Sequence, residues 1–297
     1  MKFSSFSTTA IMLSLALPLM VYIGRQSQRP PRQETTYPLF QGIDYQRRVA
    51  RTPLPQVIHQ VTIDLSADGV QPFVTLPPHS ADLNNTEPTE PIEPTEPIEN
   101  RLVDLPRTAM LARTTGEFLA EFELQLAINT NYFYEFEEKT PWIFYPHSGD
   151  EVYVLGEAIA PAQPIPNAPA LRYGLLRDNW PALCFADTNH ANTNHANTNH
   201  ANTNHASIEP LGTCPDQTRY GIAGRDVLVS NGNALTRFPN QQDDKPYPRT
   251  AVGVDTTGQT LWLVIVDGKQ PHYSEGMLLT ELALLFESLG AEAAIAL

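Results

Sequence analysis

The sequence predicts an α+β fold: a mixed or mostly antiparallel sheet with a few packed helices, formed as one domain with two low-complexity insertions. Three observations carry this. Apolar runs are short, β-branched or alternating, as in residues 57–65 and 261–266, which suits strands. They are separated by turn signals such as Asn231-Gly232 and Thr256-Thr257-Gly258. Helical patterns are few, short and flanked by capping residues.

At 297 residues the chain is long enough to bury a sizeable core. The net charge of −14 argues against a nucleic-acid partner, which would need a basic face. Residues 1–24 carry one charged side chain, Lys2, and an apolar stretch at 10–23. This length suits a cleaved signal peptide or an uncleaved signal anchor. Membrane association is expected only through this segment, with the remainder exported. Residues 25–55, polar and broken by prolines, read as a linker ahead of a domain at 56–297.

Val57, His59, Val61, Ile63 and Leu65 share one face of a predicted half-buried strand. His59 is read as a satisfied histidine rather than a metal ligand, since no Cys or second His is spaced to join it. Residues 78–100 hold a Thr-Glu-Pro and Ile-Glu-Pro repeat that prevents a packed element. A short helix is expected over residues 114–123, capped by Thr114 or Thr115 with Glu117 in its first turn. A strand over 124–128 then leads into Asn129-Thr130-Asn131-Tyr132-Phe133. Amides followed by aromatic rings make either a sugar-binding edge, with Asn131 and Phe133 as its contacts, or a turn closed by Asn side chains. The aromatic loop at 142–150 reads as a functional loop or as a cover on the sheet. A further strand is expected at 151–160.

Residues 188–206 repeat a Thr-Asn-His-Ala-Asn pentad. A five-residue period matches neither helix nor strand, so it converges no imidazoles on a metal. An inert flexible insertion is expected, and neither a metal nor a cofactor is. The two cysteines, Cys184 and Cys214, flank this insertion. They read as a disulfide closing the loop at its base, or as two unrelated buried thiols. Gly221 and Gly224, within a strand-pair region at 219–230, permit close approach of backbone to a ligand or to another strand. A last helix is expected at 281–289, capped by Thr280 or a neighbour and stopped by Gly290.

The C-terminal third is the most informative stretch. Leu261 to Val266 ends abruptly in Asp267-Gly268-Lys269, and Arg249 opens the preceding extended segment. Pairing of the two strands would bring Arg249 near Asp267. An arginine that forks onto phosphate oxygens beside a fixed carboxylate is a chemical clue; a buried ion pair joining the strands is the other reading.

Five pieces, Ala-Ile-Asn-Thr-Asn-Tyr-Phe (127–133), Tyr-Gly-Ile-Ala-Gly (220–224), Arg-Thr-Ala-Val-Gly (249–253), Val-Asp-Gly-Lys-Gln (266–270) and Tyr-Ser-Glu-Gly-Met (273–277), occur in the order found in the phosphodiester glycosidases. Over residues 57–297 the chain resembles that family. The resemblance implies hydrolysis of glycosyl phosphodiesters on exported or envelope glycans. Such chemistry needs cations on the phosphate, with Arg249 the candidate and Lys269 sharing the charge. It needs a carboxylate near the sugar ring, with Asp267 the candidate. Tyr273 and Ser274 are expected to donate to substrate, beside Asn131, Phe133 and Gly224. The family continues into an Asn-Leu-Asp-Gly-Gly-Gly-Ser loop, whereas this sequence stops at Ala-Ile-Ala-Leu297. The resemblance therefore implies an inactive polypeptide or a piece of an active product. The alternatives are a non-catalytic glycan-binding envelope protein and a purely structural one.

Overall fold

Alternation of apolar residues around a few central strands sets the architecture. The computed structural model describes residues 20–22, 24, 29–77, 109–134, 145–161, 170–174, 180–187, 204–238 and 244–297. Most of the expected signal segment, the Glu-Pro insertion at 78–100 and residues 188–203 of the pentad repeat lie outside these. The chain divides into two units, 1–33 and 34–297. In the first, residues 20–22 and 24 are helical. Among the described residues no helix is long and apolar enough to cross a membrane.

The second unit holds sixteen described strands: β1 (Thr35–Phe40), β2 (Ile43–Ala50), β3 (Gln56–Asp64), β4 (Ala109–Leu111), β5 (Phe133–Tyr134), β6 (Glu151–Val154), β7 (Ala158–Pro161), β8 (Ala170–Tyr173), β9 (Ala182–Asp187), β10 (Asn204–Glu209), β11 (Thr218–Ala223), β12 (Asp226–Ser230), β13 (Asn233–Ala234), β14 (Arg249–Val254), β15 (Thr260–Val266) and β16 (Ala293–Ala296). Two helices accompany them, α1 (Thr115–Glu121) and α2 (Leu279–Leu289). The main sheet has the order β1-β2-β3-β15-β14-β16-β12-β13, a second sheet β10-β9-β11-β7-β8, and a third β4-β6-β5. Every described strand pair is antiparallel. The sheets are thus antiparallel rather than mixed, and strand outweighs helix more than the α+β class implies.

The main sheet is buried on both faces, which explains its apolar runs. On one face Ile58, Ala251, Val264, Val266 and Leu228 pack against Leu279, Leu282 and Phe286 of α2. On the other, Val61, Ile63, Val252, Leu261, Leu263 and Ile295 pack against Leu183, Phe185, Ala206 and Ile222 of the second sheet. Phe286, Leu282 and Leu279 are fully buried, each contributing about 1.5–3 kcal/mol of hydrophobic burial. Gly290, with φ 85°, ends α2 as expected.

Several expectations are corrected. The polar stretch read as linker to residue 55 contains β1 and β2, which extend the main sheet beyond β3. Strand β3, flanked by β2 and β15, is buried on both faces rather than one. Residues 124–128 form no strand, although Leu126 and Ile128 still pack on the core. Residues 151–161 split into two strands of different sheets around Gly156, whose φ is 78°. Likewise β11 and β12 do not pair: they belong to different sheets. By contrast, Thr114, one of the two expected caps, does cap α1, with the reciprocal Glu117 contact. Finally, Asn204, His205 and Ala206 of the pentad repeat are ordered in β10, paired with β9.

Cys184 and Cys214 form a disulfide, with α-carbons 5.7 Å apart. Beside it the buried Glu157 accepts from the Cys214 amide at 3.0 Å and from Arg172, whose other nitrogen donates to the Cys214 and Pro215 carbonyls.

Candidate active site

β14 and β15 pair in the register Arg249↔Val266 through Val254↔Leu261. Where they part, Gly268 runs against Pro248. A β-carbon on Gly268 would lie 2.4 Å from the Pro248 nitrogen, so only glycine allows this approach. An open cavity of about 530 Å³ lies at this end of the sheet. Residues 129–133 line it on one side and residues 248–250, 265–268, Gln270 and Leu297 on the other. Three sequence-distant segments, all among those carrying the family resemblance, therefore share one cavity.

Asp267 lines this cavity. Its amide donates to Val57 O at 3.0 Å, continuing the β15–β3 ladder, and its carbonyl accepts from Ser274 Oγ at 2.6 Å. Its Oδ2 lies 3.4 Å from His59 Nε2, and His59 Nδ1 lies 2.7 Å from the Tyr45 hydroxyl. His59 is thus satisfied, as expected, but by a residue of the cavity wall.

Arg249 also lines the cavity, yet its head is not beside Asp267. Its Nε donates to Met277 O at 3.0 Å and Nη2 to Lys245 O at 2.9 Å, with Asp244 Oδ1 at 3.5 Å. The cause is register. Arg249 sits opposite Val266, whose side chain joins the cluster under α2, and side chains alternate along a strand. Asp267, one residue on, meets His59 instead. The ion pair formed by Arg249 is with Asp244, not Asp267. Burial pulls the Arg249 guanidinium below its usual value, and the nearby Asp244 opposes this; the side chain remains a cation.

The other expected site residues divide. Asn131 and Phe133 line the cavity. The Asn131 amide donates to Leu155 O at 3.1 Å and Glu157 O at 3.2 Å, so it also ties this loop to the strand connection behind it. Gly224, Lys269, Tyr273 and Ser274 are not among the lining residues. Gly224 abuts β16, where a β-carbon would lie 2.6 Å from Ala296 O: the close approach is to a strand. Lys269 Nζ lies over the Tyr247 ring, 4.6 Å from its centroid. Tyr273 is buried. Ser274 is fully buried and bridges two strands, accepting from Val57 N at 2.9 Å while donating to Asp267 O. It fixes Asp267 rather than facing the cavity.

Gln270 lines the cavity without having been singled out from the sequence, and Tyr132, one of the rings of the expected edge, lines it too. Tyr132 meets Trp180 edge-on at 5.5 Å and has the Arg225 guanidinium 5.7 Å from its ring centre. Of the aromatic loop at 142–150, residues 145–150 are described. His147 N donates to Asp150 Oδ2 at 2.8 Å, and Tyr145 is exposed.

No curated protein matches this chain. Among solved structures, a hypothetical protein from Synechocystis superposes with a TM-score of 0.44 and 14% identity, over 91% of this chain and 58% of that one. The chain thus spans under two thirds of that protein's length. The catalytic domain of zebrafish N-acetylglucosamine-1-phosphodiester alpha-N-acetylglucosaminidase, auto-inhibited by its pro-peptide, gives a TM-score of 0.40 and 16% identity over 91% of this chain and 72% of that one. A protein described as exported, from Burkholderia pseudomallei, gives 0.41 and 13% over 84% and 69%. The family model for phosphodiester glycosidases matches residues 122–297, more than half of the sequence. The chain belongs to the phosphodiester glycosidase family.

Proposed function

We propose that this protein hydrolyses glycosyl phosphodiesters, releasing a sugar from a sugar–phosphate diester on exported or envelope glycans. The observation that carries this reading is the convergence of residues 129–133, 248–250 and 265–268 on one cavity, in a chain of this family. Water adds to the anomeric carbon, the bond from that carbon to the phosphate oxygen breaks, and the phosphate leaves with the bonding electrons. The leaving group is already acidic, so the main demands are positive charge beside the phosphate and negative charge beside the ring. Asp267 serves the ring, as base for water or as nucleophile. Arg249 serves the phosphate with the donors left beyond its contacts to Met277, Lys245 and Asp244. Asn131 and Phe133 present an amide and a ring to the sugar.

The disulfide supports an oxidising compartment and hence export. Leu297 lines the cavity beside Thr250. A non-catalytic glycan-binding edge is the second reading of the same cavity, favoured by the amide and ring that Asn131 and Phe133 bring to its lining.

The test is incubation of the purified protein with N-acetylglucosamine 1-(methyl phosphate). Release of the free sugar, abolished by Asp267→Asn, supports the reading. Saturable binding without release selects the non-catalytic glycan-binding protein. Neither release nor binding sinks both.

A further inference from the structure

Asp267 is held by β3 at more than its backbone. Its amide is fixed by Val57 O and its carbonyl by Ser274, which itself accepts from Val57 N. The remaining freedom of the residue lies in its side chain, and there a second residue of β3, His59, approaches Oδ2 at 3.4 Å. His59 stands opposite Ile265 in the β3–β15 ladder, on the same face as Val61 and Ile63. Unlike those two it is not sealed: its side chain is 27% exposed, against 30% for Asp267.

We propose that His59 is a positioning residue for Asp267, donating from Nε2–H to Oδ2, and that Tyr45 sets this tautomer by donating its phenol proton to Nδ1. The proposal rests on Asp267 being the acting carboxylate of the reaction proposed above.

In a neutral imidazole one nitrogen donates and the other accepts, and the partner of one decides the role of the other. An ionised carboxylate only accepts, so the bond between His59 and Asp267 Oδ2 needs the ring proton on Nε2. Nδ1 is then an acceptor, and the Tyr45 phenol, which could donate or accept, donates to it at 2.7 Å. Burial pushes that phenol above its ordinary value, with nearby Tyr37, Asp267 and Tyr273 pushing the same way and Arg47 opposing, so it keeps its proton at neutral pH. The Tyr45 ring is in turn packed against Tyr37, 5.1 Å between centroids. The groups around the pair are therefore Tyr37 of β1, Tyr45 and Arg47 of β2, and Asp267 and Tyr273 beyond β15. A line of side chains from the first three strands of the main sheet thus ends on the cavity wall. It gives β1 and β2 a part in orienting the carboxylate that serves the sugar ring.

The test begins with long-range ¹H–¹⁵N spectra of the full chain, its histidines ¹⁵N-labelled and His59 assigned through His59→Gln. The Nε2–H tautomer is expected for His59 at neutral pH. Tyr45→Phe should collapse it toward a mixture of tautomers, and Asp267→Asn should shift the His59 ring signals. An Nδ1–H tautomer in the unaltered chain, or ring signals indifferent to both substitutions, overturns the proposal. Turnover of the methyl phosphodiester supplies the second reading. His59→Ala is expected to lower kcat by about 10–100-fold, by analogy with removal of the hydrogen-bond partner that orients a metal-ligating side chain, with KM little changed. His59→Gln, whose amide also donates, should recover part of the loss. Equal losses in the two variants overturn the positioning role. A chain that turns over no substrate at all removes the catalytic reading of Asp267, and the spectra alone then decide the Tyr45–His59–Asp267 line.

Discussion

Arg249 Nη2 lies 3.5 Å from Asp244 Oδ1, and that same carboxylate accepts the Leu279 amide at 2.8 Å and the Thr280 amide at 3.0 Å. One acid therefore neutralises the half-buried guanidinium and caps α2 from a distant point in the chain. Of the caps expected, Thr280 or a neighbour, the N-cap position falls to Leu278, and the Thr280 hydroxyl donates to Asp244. A negative charge here also meets the positive end of the helix dipole. Asp244→Ala removes cap and counter-charge together. It is expected to cost about 2 kcal/mol, read as a lowered urea midpoint. An unchanged midpoint would show that the contact carries nothing.

Substitution at Arg249 separates charge from geometry. Arg249→Lys keeps a cation but loses the fork that reaches Met277 O, Lys245 O and a phosphate at once. On the proposed function, kcat/KM for the methyl phosphodiester falls by about 100-fold, near 3 kcal/mol of transition-state binding. A thermal melt of the same variant shows how much of the loss is structural. Full activity with a lowered Tm would reduce Arg249 to a strut.

Gly224 tests packing against binding. In Gly224→Ala the new methyl meets Ala296 O and the Ile295 side chain. Overpacking of this kind costs about 1–3 kcal/mol, so Tm should fall while KM for any active preparation stays put. A raised KM at constant Tm would return Gly224 to the ligand site.

What the sequence made legible was local. The β14–β15 hairpin, the capping of α1 by Thr114, the Gly290 stop and the partnership of Cys184 with Cys214 each rest on residues whose chemistry acts over a few positions or on a single bond. What escaped was set at a distance. Nothing near Asp267 announces that His59, more than two hundred residues earlier, lies across the ladder from Ile265. Arg249 and Asp267 looked like neighbours because adjacency of strands was inferred without register. A slip of one residue is enough to turn a side chain to the other face. Ser274 read as a hydroxyl for substrate because its burial depends on β3. The polar β1 and β2 hid because strands beside a sheet edge bury only part of their surface.

The disulfide should contribute measurably. Cys184 and Cys214 are separated by 30 positions, and closing a loop of that size lowers unfolded-state entropy by about 3–4 kcal/mol at room temperature. The Cys184→Ser, Cys214→Ser double variant is expected to lose most of that in urea unfolding. Glu157 and Arg172, which grip the same loop independently, should keep it folded in the absence of denaturant.

Asp255 provides a pH-dependent term. Burial pushes its carboxyl up, but hydrogen bonds from Thr257, Thr260 and Gln259 outweigh this and hold it below the usual range. A depressed folded value stabilises the protein above the unfolded carboxylate value, near 3.9, and that stabilisation disappears as pH falls through the folded value. Asp255→Asn is expected to cost about 1 kcal/mol at pH 7 and progressively less below about pH 4. A difference independent of pH would remove the carboxylate from the account.

The Asn-His-Ala triplet that opens β10 has a wider consequence. Each copy of the pentad carries the same triplet, so excising or adding one whole copy hands the second sheet an identical strand start. Replication slippage in steps of fifteen nucleotides would leave the β9–β10 pairing in register, and even doubling the connection would cost only about 0.6 kcal/mol of closure entropy. Because β10 is the edge strand of the second sheet, a change of whole copies alters only what precedes that edge and leaves the sheet's inner pairings as they are.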